Sequence, residues 1–171
     1  MDFFQVVKTR QSVRAFALRE IEEDKLQQIL DAANKAPSAG NLQAYEIYLV
    51  RNASVRKELA RASLRQDFVA SAPIALVFCA NPSRAVARYG QRGEQLYSVQ
   101  DATIACTFAM LAATTIGLAT VWIGAFSEEK VRQAISAPEG FRPVAILPIG
   151  YAAESPEHAS RRTLSELVHR I

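Results

Sequence analysis

Residues that commonly bind metal ions or act as nucleophiles are scarce in this sequence. Its 171 residues include two cysteines, Cys79 and Cys106, and two histidines, His158 and His169. Neither cysteine belongs to a CxxC motif, and the histidines lack a metal-binding spacing such as HExxH. Both cysteines lie inside apolar runs, which predicts buried, inert thiols in a reducing cytoplasm. The pattern therefore argues against metal-dependent chemistry.

Several familiar enzyme and binding signatures are also missing. The sequence has no GxSxG elbow, no GxGxxG fingerprint and no Walker lysine loop. Its net charge is only +3 with interspersed acids and bases, which argues against a nucleic-acid-binding protein. The start, MDFFQVVKTR, lacks the basic and apolar regions of a secretory signal, so a cytoplasmic protein is expected. If the protein is an enzyme, we expect its chemistry to come from a bound cofactor.

One uncharged segment, residues 102–126, is long enough to span a bilayer. It contains several threonines, however, and Gly117 divides it into a helical half and a β-branched half. We therefore predict a buried helix over residues 98–116 and a buried strand within 118–126, and no membrane span. The helix carries apolar residues in nearly every direction, so it is expected to be buried on all sides, in the core centre or at a subunit interface.

Helices and strands are mixed along the rest of the chain. The hydrophobic periodicity predicts further helices at about 2–8, 22–35, 54–63 and 127–135, and a capping box starts a last one at Thr163. Strands are predicted at 45–50, 73–80 and 143–151, with a polar surface connection over 83–97. We infer one α+β domain, residues 1–171, with a mixed central sheet flanked by helices around the long buried helix.

Two motifs carry groups suited to a polar ligand. In TRQSVR, alternate residues of an extended loop place Arg10, Ser12 and Arg14 on one face, which suits a phosphate, although a solvated polar loop remains the alternative. In APSAGNLQ, the Ser38 hydroxyl and the amides of Asn41 and Gln43 could bind a polar heterocycle, although the segment is also typical of a plain turn.

Two later motifs are compatible with the same kind of ligand. In VWIGAF, Gly124 follows a buried strand and either ends it or lets a flat ligand approach the backbone. In SRRTL, Arg161 and Arg162 precede the last helix, where they are either an anion site or ordinary surface charge.

Taken together and in this order, the four motifs resemble the nitroreductase (flavin reductase-like) family from about residue 3 to 168. The chain is similar to the short members of that family. The resemblance implies an α+β homodimer with FMN bound at the subunit interface, and it places the helix over 98–116 in that interface.

The resemblance also implies an FMN site without a catalytic side chain. Pro37, Ser38, Ala39 and Asn41 would come from the partner subunit, and the Gly124 N–H would face flavin N5. Arg162 is the alternative to Arg161 at the phosphate, and Arg65 and Gln66 compete for a further flavin contact. The implied cofactor-binding residues are Arg10, Gln11, Ser12, Arg14, Pro37, Ser38, Ala39, Asn41, Trp122, Ile123, Gly124 and Arg161.

The activity implied by the resemblance is a ping-pong hydride transfer through flavin N5. NADH or NADPH would be the electron donor, and a nitroaromatic, a quinone or a flavin would be the small-molecule oxidant. The alternative is a flavin-binding or nucleotide-sensing module without significant turnover. No membrane or nucleic-acid partner is expected.

Overall fold

The fold is built on a four-stranded antiparallel sheet. The computed structural model describes residues 1–157 and 159–171. The strands are β1 (Tyr45–Val50), β2 (Ile74–Ala80), β3 (Ala119–Thr120) and β4 (Arg142–Gly150). They lie in the order β1–β2–β4–β3, and an isolated bridge between Ser12 and Thr120 adds a parallel contact at the β3 edge. The sheet is mixed only through that bridge.

Helices cover both faces of this sheet. They are α1 (Phe3–Thr9), α2 (Glu23–Asn34), α3 (Ala53–Ala62), α4 (Phe68–Ser71), α5 (Ser83–Arg92), α6 (Ser98–Thr115), α7 (Glu128–Ala134) and α8 (Leu164–Leu167). A short 3-10 turn spans Ala39–Asn41, and a π-helical turn spans Gly93–Tyr97 between α5 and α6. The predicted α+β class is therefore confirmed, with the central strand β2 at the predicted position.

The side chains of β2 divide the core into two layers. Leu76 and Phe78 pack towards α2 and α6, whereas Val77 and Cys79 pack towards α3 and α7. This is the two-residue alternation of a strand, and both of its faces are apolar because both are covered. Burial raises the pKa of the Cys79 thiol to about 12, helped by nearby Glu46, and burial also raises the pKa of Cys106. Both thiols are buried, as predicted.

Within one chain, helix α6 is buried on one side only, which rules out the predicted core-centre position and leaves the subunit interface as the remaining alternative. Small residues such as Ala102, Ala105 and Ala109 pack it closely against the sheet. On other faces Ile104 and Leu111 are only partly buried, and Phe108 is 37% exposed. The sequence pattern marks the apolar faces of a helix but does not tell whether the same chain or a second subunit covers them.

The segment over residues 83–97 lies mostly at the surface, as predicted, but it is helical, which the sequence analysis did not predict. Glycines lowered its apparent helix propensity, yet α5 places Ala85 against the protein and charged residues outwards. Gly90 (φ +55°, ψ −146°) interrupts the helix in a backbone conformation close to one reserved for glycine. The chain therefore turns at Gly90 and continues through the π-helical turn into α6.

Two further predicted elements are shorter than expected. The strand predicted within 118–126 pairs regularly only at Ala119 and Thr120, and again at an Ile123–Ile146 bridge. The capping box at Thr163 is present, but the helix it starts ends at Leu167. The helical run Ser83–Thr115 has the length and hydropathy of a membrane span, but its α6 part packs on β2 and β4 in the core.

Candidate functional site

The loop after α1 is held against the sheet edge by its backbone. Asp2 and Gln5 form a capping box that starts α1, and the helix ends at Thr9. The Val13 N–H then donates to the Thr120 carbonyl at 3.1 Å, and the Val13 side chain is buried against Val121. Because Val13 points inwards, its neighbours in this extended segment point outwards.

A cavity of about 580 Å³ lies between this loop and the segment that follows β4. Five of the predicted site residues line it together: Arg10, Gln11, Ser12, Arg14 and Arg161. Residues 10–14 and 161 are thus adjacent in the fold although they are far apart in the sequence. Lys8 also lines the cavity, although it is not among the predicted site residues.

This arginine cavity is strongly cationic. Its lining includes Lys8, Arg10, Arg14 and Arg161 but only one acid, Glu157, within the described residues. Those four cations make no salt bridge to any described residue. Burial, and to a lesser extent the positive charge of Arg161, lower the pKa of Arg10. An anion in the cavity would relieve this repulsion and accept hydrogen bonds from guanidinium groups.

Glu154 is a residue of the site that sequence reasoning missed. Its carboxylate accepts hydrogen bonds from the backbone N–H groups of Arg14 and Ala15, the latter at 3.1 Å. The Ala153 N–H donates to the Ala15 carbonyl at 2.9 Å, so the two segments are joined on both sides. Glu154 therefore holds the arginine loop in place through its backbone. No short motif in the sequence marks such a contact.

The loop with Pro37, Ser38 and Ala39 lines a different cavity, of about 500 Å³, beside the start of α6. Buried Asp101 fixes this loop, since its carboxylate accepts from the N–H groups of Ala39 at 2.9 Å and Ala44 at 3.2 Å. Exposed Asn41 has φ +56° in the 3-10 turn. Within one chain, this loop and the arginine cavity do not form a single pocket.

The segment after β3 runs beside the arginine loop because of the Ser12–Thr120 bridge. Trp122 is half-buried, and Gly124 is exposed and lines a third cavity of about 210 Å³. Ile123 is 2% exposed, and both of its backbone polar groups pair with Ile146 at 3.0 Å. Ile123 therefore anchors the segment in the core, which leaves Trp122 and Gly124 at the surface.

The structure distinguishes two pairs of residues that the sequence left as alternatives. The Gln66 side-chain amide lies 3.4 Å from the carbonyl of Ala125, next to Gly124, whereas Arg65 is exposed with φ +59°. Arg162 donates to the Glu166 carbonyl at 2.8 Å, whereas Arg161 lines the arginine cavity. The geometry thus favours Gln66 and Arg161 as the site residues.

The fold and the cavity together define a class: an α+β protein that presents an arginine-lined anion pocket beside one edge of its sheet. The model of the nitroreductase family matches residues 7–66 and 61–151 of this sequence. The chain therefore belongs to the nitroreductase family.

Individual relatives agree with this assignment. A Methanothermobacter thermautotrophicus protein that bears the name NADH dehydrogenase/NAD(P)H nitroreductase is 33% identical over 162 residues, covering 91% of this chain and 80% of the relative. A nitroreductase family protein from Clostridium novyi is similar in structure, with a TM-score of 0.82, 32% identity and coverage of 93% and 89%. The NADPH:FMN oxidoreductase of Vibrio harveyi, solved with NAD⁺, has a TM-score of 0.89 and 27% identity, covering 98% of this chain and 76% of that one.

Proposed function

We propose that this protein is an FMN-dependent oxidoreductase that uses NADH or NADPH to reduce a small-molecule oxidant. The observation that carries the proposal is the convergence of Arg10, Gln11, Ser12, Arg14 and Arg161 on one cationic cavity. The names of the relatives, which include an NADPH:FMN oxidoreductase and an NAD(P)H nitroreductase, support the same cofactor and donors.

The residues present fit the phosphate end of FMN. A phosphate is a compact anion with several acceptor oxygens, and it is bound well by forked guanidinium donors and a hydroxyl. Arg14 and Arg161 provide the guanidinium groups, and Ser12 provides a hydroxyl group in the lining of the same cavity. We assign the phosphate to Arg14 and Arg161. Arg10 and Gln11 would then contact the part of FMN next to the phosphate.

The other predicted residues would hold the ring system. Bound FMN would supply the redox chemistry, accepting hydride from the donor and passing it to the oxidant. The Gly124 N–H would fix the ring at flavin N5, and exposed Gly124 has no side chain to prevent close approach. A cation such as Arg10 near the pyrimidine edge would stabilise negative charge on the reduced ring. No side chain of the protein is required as a general acid or base.

We further propose that the site is completed in a homodimer. Pro37, Ser38, Ala39 and Asn41 lie apart from the arginine cavity within one chain, so a second subunit is needed to bring them to the cofactor. The surface of α1 and α6 carries exposed Phe3, Phe4 and Phe108, which suit an interface with another copy. Nitroaromatics, quinones and free flavins are the oxidants we propose.

The absorption spectrum of the purified protein tests the proposal directly. We expect a yellow protein whose flavin absorption bleaches within seconds when NADH or NADPH is added under nitrogen. The colour should return when a quinone or a nitroaromatic compound is added. Bound flavin that neither nicotinamide reduces would indicate the alternative, a flavin-binding module. A colourless protein that fails to take up added FMN would contradict both functions.

A further inference from the structure

Helix α5 presents cations that the FMN site does not use. Arg84, Arg88 and Arg92, here called the arginine ridge, are all exposed, and none pairs with an acid of the described chain. Arg84 and Arg88 are four residues apart, so they lie on the same face, about 6 Å apart along the helix axis. The ridge is therefore a local positive surface in a protein whose net charge is only +3.

The arginine ridge is packed on the loop that we assign to the cofactor of the partner subunit. Arg84 Nε donates to the Leu42 carbonyl at 3.0 Å, and Arg88 Nη1 lies 3.5 Å from the Gly40 carbonyl. The approach is close, since a Cβ atom built on Gly40 would lie 2.4 Å from the Tyr89 hydroxyl. Each contact uses one of the five N–H donors of a guanidinium group, so most of these donors remain available to bind an anion.

Two tyrosines connect the ridge to the mouth of a cavity. Tyr89 and Tyr97 meet edge to face at 5.1 Å, and the Arg88 guanidinium lies 5.4 Å from the centre of the Tyr89 ring. Arg92 Nε donates to the Tyr97 hydroxyl at 3.0 Å. Tyr97 also lines the cavity of about 500 Å³ that contains Pro37 and Ser38. Tyr97 thus links the arginine ridge to the lining of this cavity.

We propose that the arginine ridge binds the 2′-phosphate of NADPH and makes NADPH the preferred electron donor. This inference rests on the proposed function, because it assumes that the nicotinamide end reaches the cofactor beside the Pro37–Asn41 loop. NADPH differs from NADH only in that phosphate, a charged group that unpaired, exposed arginines recognise through charge-assisted hydrogen bonds. The ridge is too short for a nucleic-acid surface, and its contact with the loop ties it to a ligand of that loop.

The test compares donors in FMN-loaded protein. The double variant Arg84→Gln with Arg88→Gln removes both charges, and glutamine at position 84 keeps a donor for the Leu42 carbonyl because its Nε2 takes the place of the arginine Nε. Only the 3.5 Å contact with the Gly40 carbonyl is lost, so the loop is expected to stay in place. We expect its KM for NADPH to rise roughly tenfold or more, because each lost charge-assisted contact is worth about a factor of ten. Its KM for NADH should change less than about twofold, because NADH has no group for the ridge. Arg61→Gln is the matched control, since Arg61 is an exposed arginine on α3, away from this loop.

Calorimetric titration of NADP⁺ and NAD⁺ into the same proteins gives a second readout without turnover. Selective loss of NADP⁺ affinity in the double variant supports the ridge as the phosphate site. Unchanged affinity for both nucleotides, or an equal loss for both, overturns it, because neither result depends on the 2′-phosphate. Failure of the proposed function would look different, since the protein would then contain no reducible FMN.

Discussion

At the scale of single residues, the site depends on like charges that are brought together. Arg10 and Arg161 face the same cavity, which has one acidic residue among its described lining residues, and their like charges repel one another. Sequence reasoning predicted Arg10, Ser12 and Arg14 from their alternate spacing. It singled out Arg161 and Arg162 together in the SRRTL motif, but it joined Arg161 to Arg10 only through the family resemblance, because no local pattern connects residue 161 with residue 10.

The phosphate assignment predicts a difference between two neighbouring arginines. Arg14→Ala or Arg161→Ala should raise the FMN dissociation constant about 10- to 100-fold, since each removes a charge-assisted contact worth roughly 1.5–3 kcal/mol. Arg162→Ala is the control, because that side chain donates to the Glu166 carbonyl and does not line the cavity. Fluorescence titration of apoprotein with FMN measures all three. Equal loss in Arg162→Ala would mean that the phosphate lies elsewhere.

Glu154 allows the effects of charge and of backbone positioning to be separated. In Glu154→Gln, the amide oxygen still accepts from the Arg14 and Ala15 N–H groups while a negative charge near the site is lost, so FMN affinity should be kept or improved. In Glu154→Ala, those N–H groups lose their acceptor, and FMN should bind more weakly than in Glu154→Gln by about 0.5–1.5 kcal/mol. The same titration measures both. Equal or tighter binding by the alanine variant would show that Glu154 matters only through its charge.

At the scale of elements, sequence analysis correctly predicted the helices and strands that have a clear hydrophobic periodicity. Helix α2 and strands β1, β2 and β4 lie within a residue or two of the predicted bounds. Helix α5 was missed because two glycines suggested a loop, whereas tertiary packing of Ala85 and a break at Gly90 preserve a helix. Strand β3 was predicted too long because an apolar β-branched run does not reveal where its partner strand ends.

The break at Gly90 should be sensitive to any side chain. At φ +55° and ψ −146°, alanine at position 90 is strained although nothing lies within 4 Å of the new Cβ atom. Gly90→Ala is therefore expected to lower the free energy of unfolding by about 1–3 kcal/mol. Gly140→Ala is matched to it, because its Cβ atom also meets open space but its φ is not positive. Urea unfolding of both variants measures the effect of backbone strain at position 90. Equal stability of the two variants would contradict a strained backbone at Gly90.

At the scale of the whole molecule, a single chain keeps its two candidate cavities apart and leaves large apolar side chains exposed. The arginine cavity and the Pro37–Ala39 cavity are separate, while Phe4 on α1 is 81% exposed. Helix α1 packs against α6. The homodimer proposed above would account for both observations: two copies would associate through α1 and α6, and each would bring its Pro37–Asn41 loop to the arginine cavity of the other.

This arrangement predicts that the dimer and the cofactor are lost together. Phe108→Arg places a charge on the proposed interface, where burying an unpaired guanidinium is strongly unfavourable. We expect sedimentation velocity to show a monomer, and FMN retention after gel filtration to fall because the partner's loop is absent. Leu49→Arg is the control, since Leu49 on the edge strand β1 is 39% exposed, close to the 37% of Phe108. A Phe108→Arg monomer that keeps FMN as tightly as the parent protein would contradict the shared site, and a Phe108→Arg dimer would place the interface on another face.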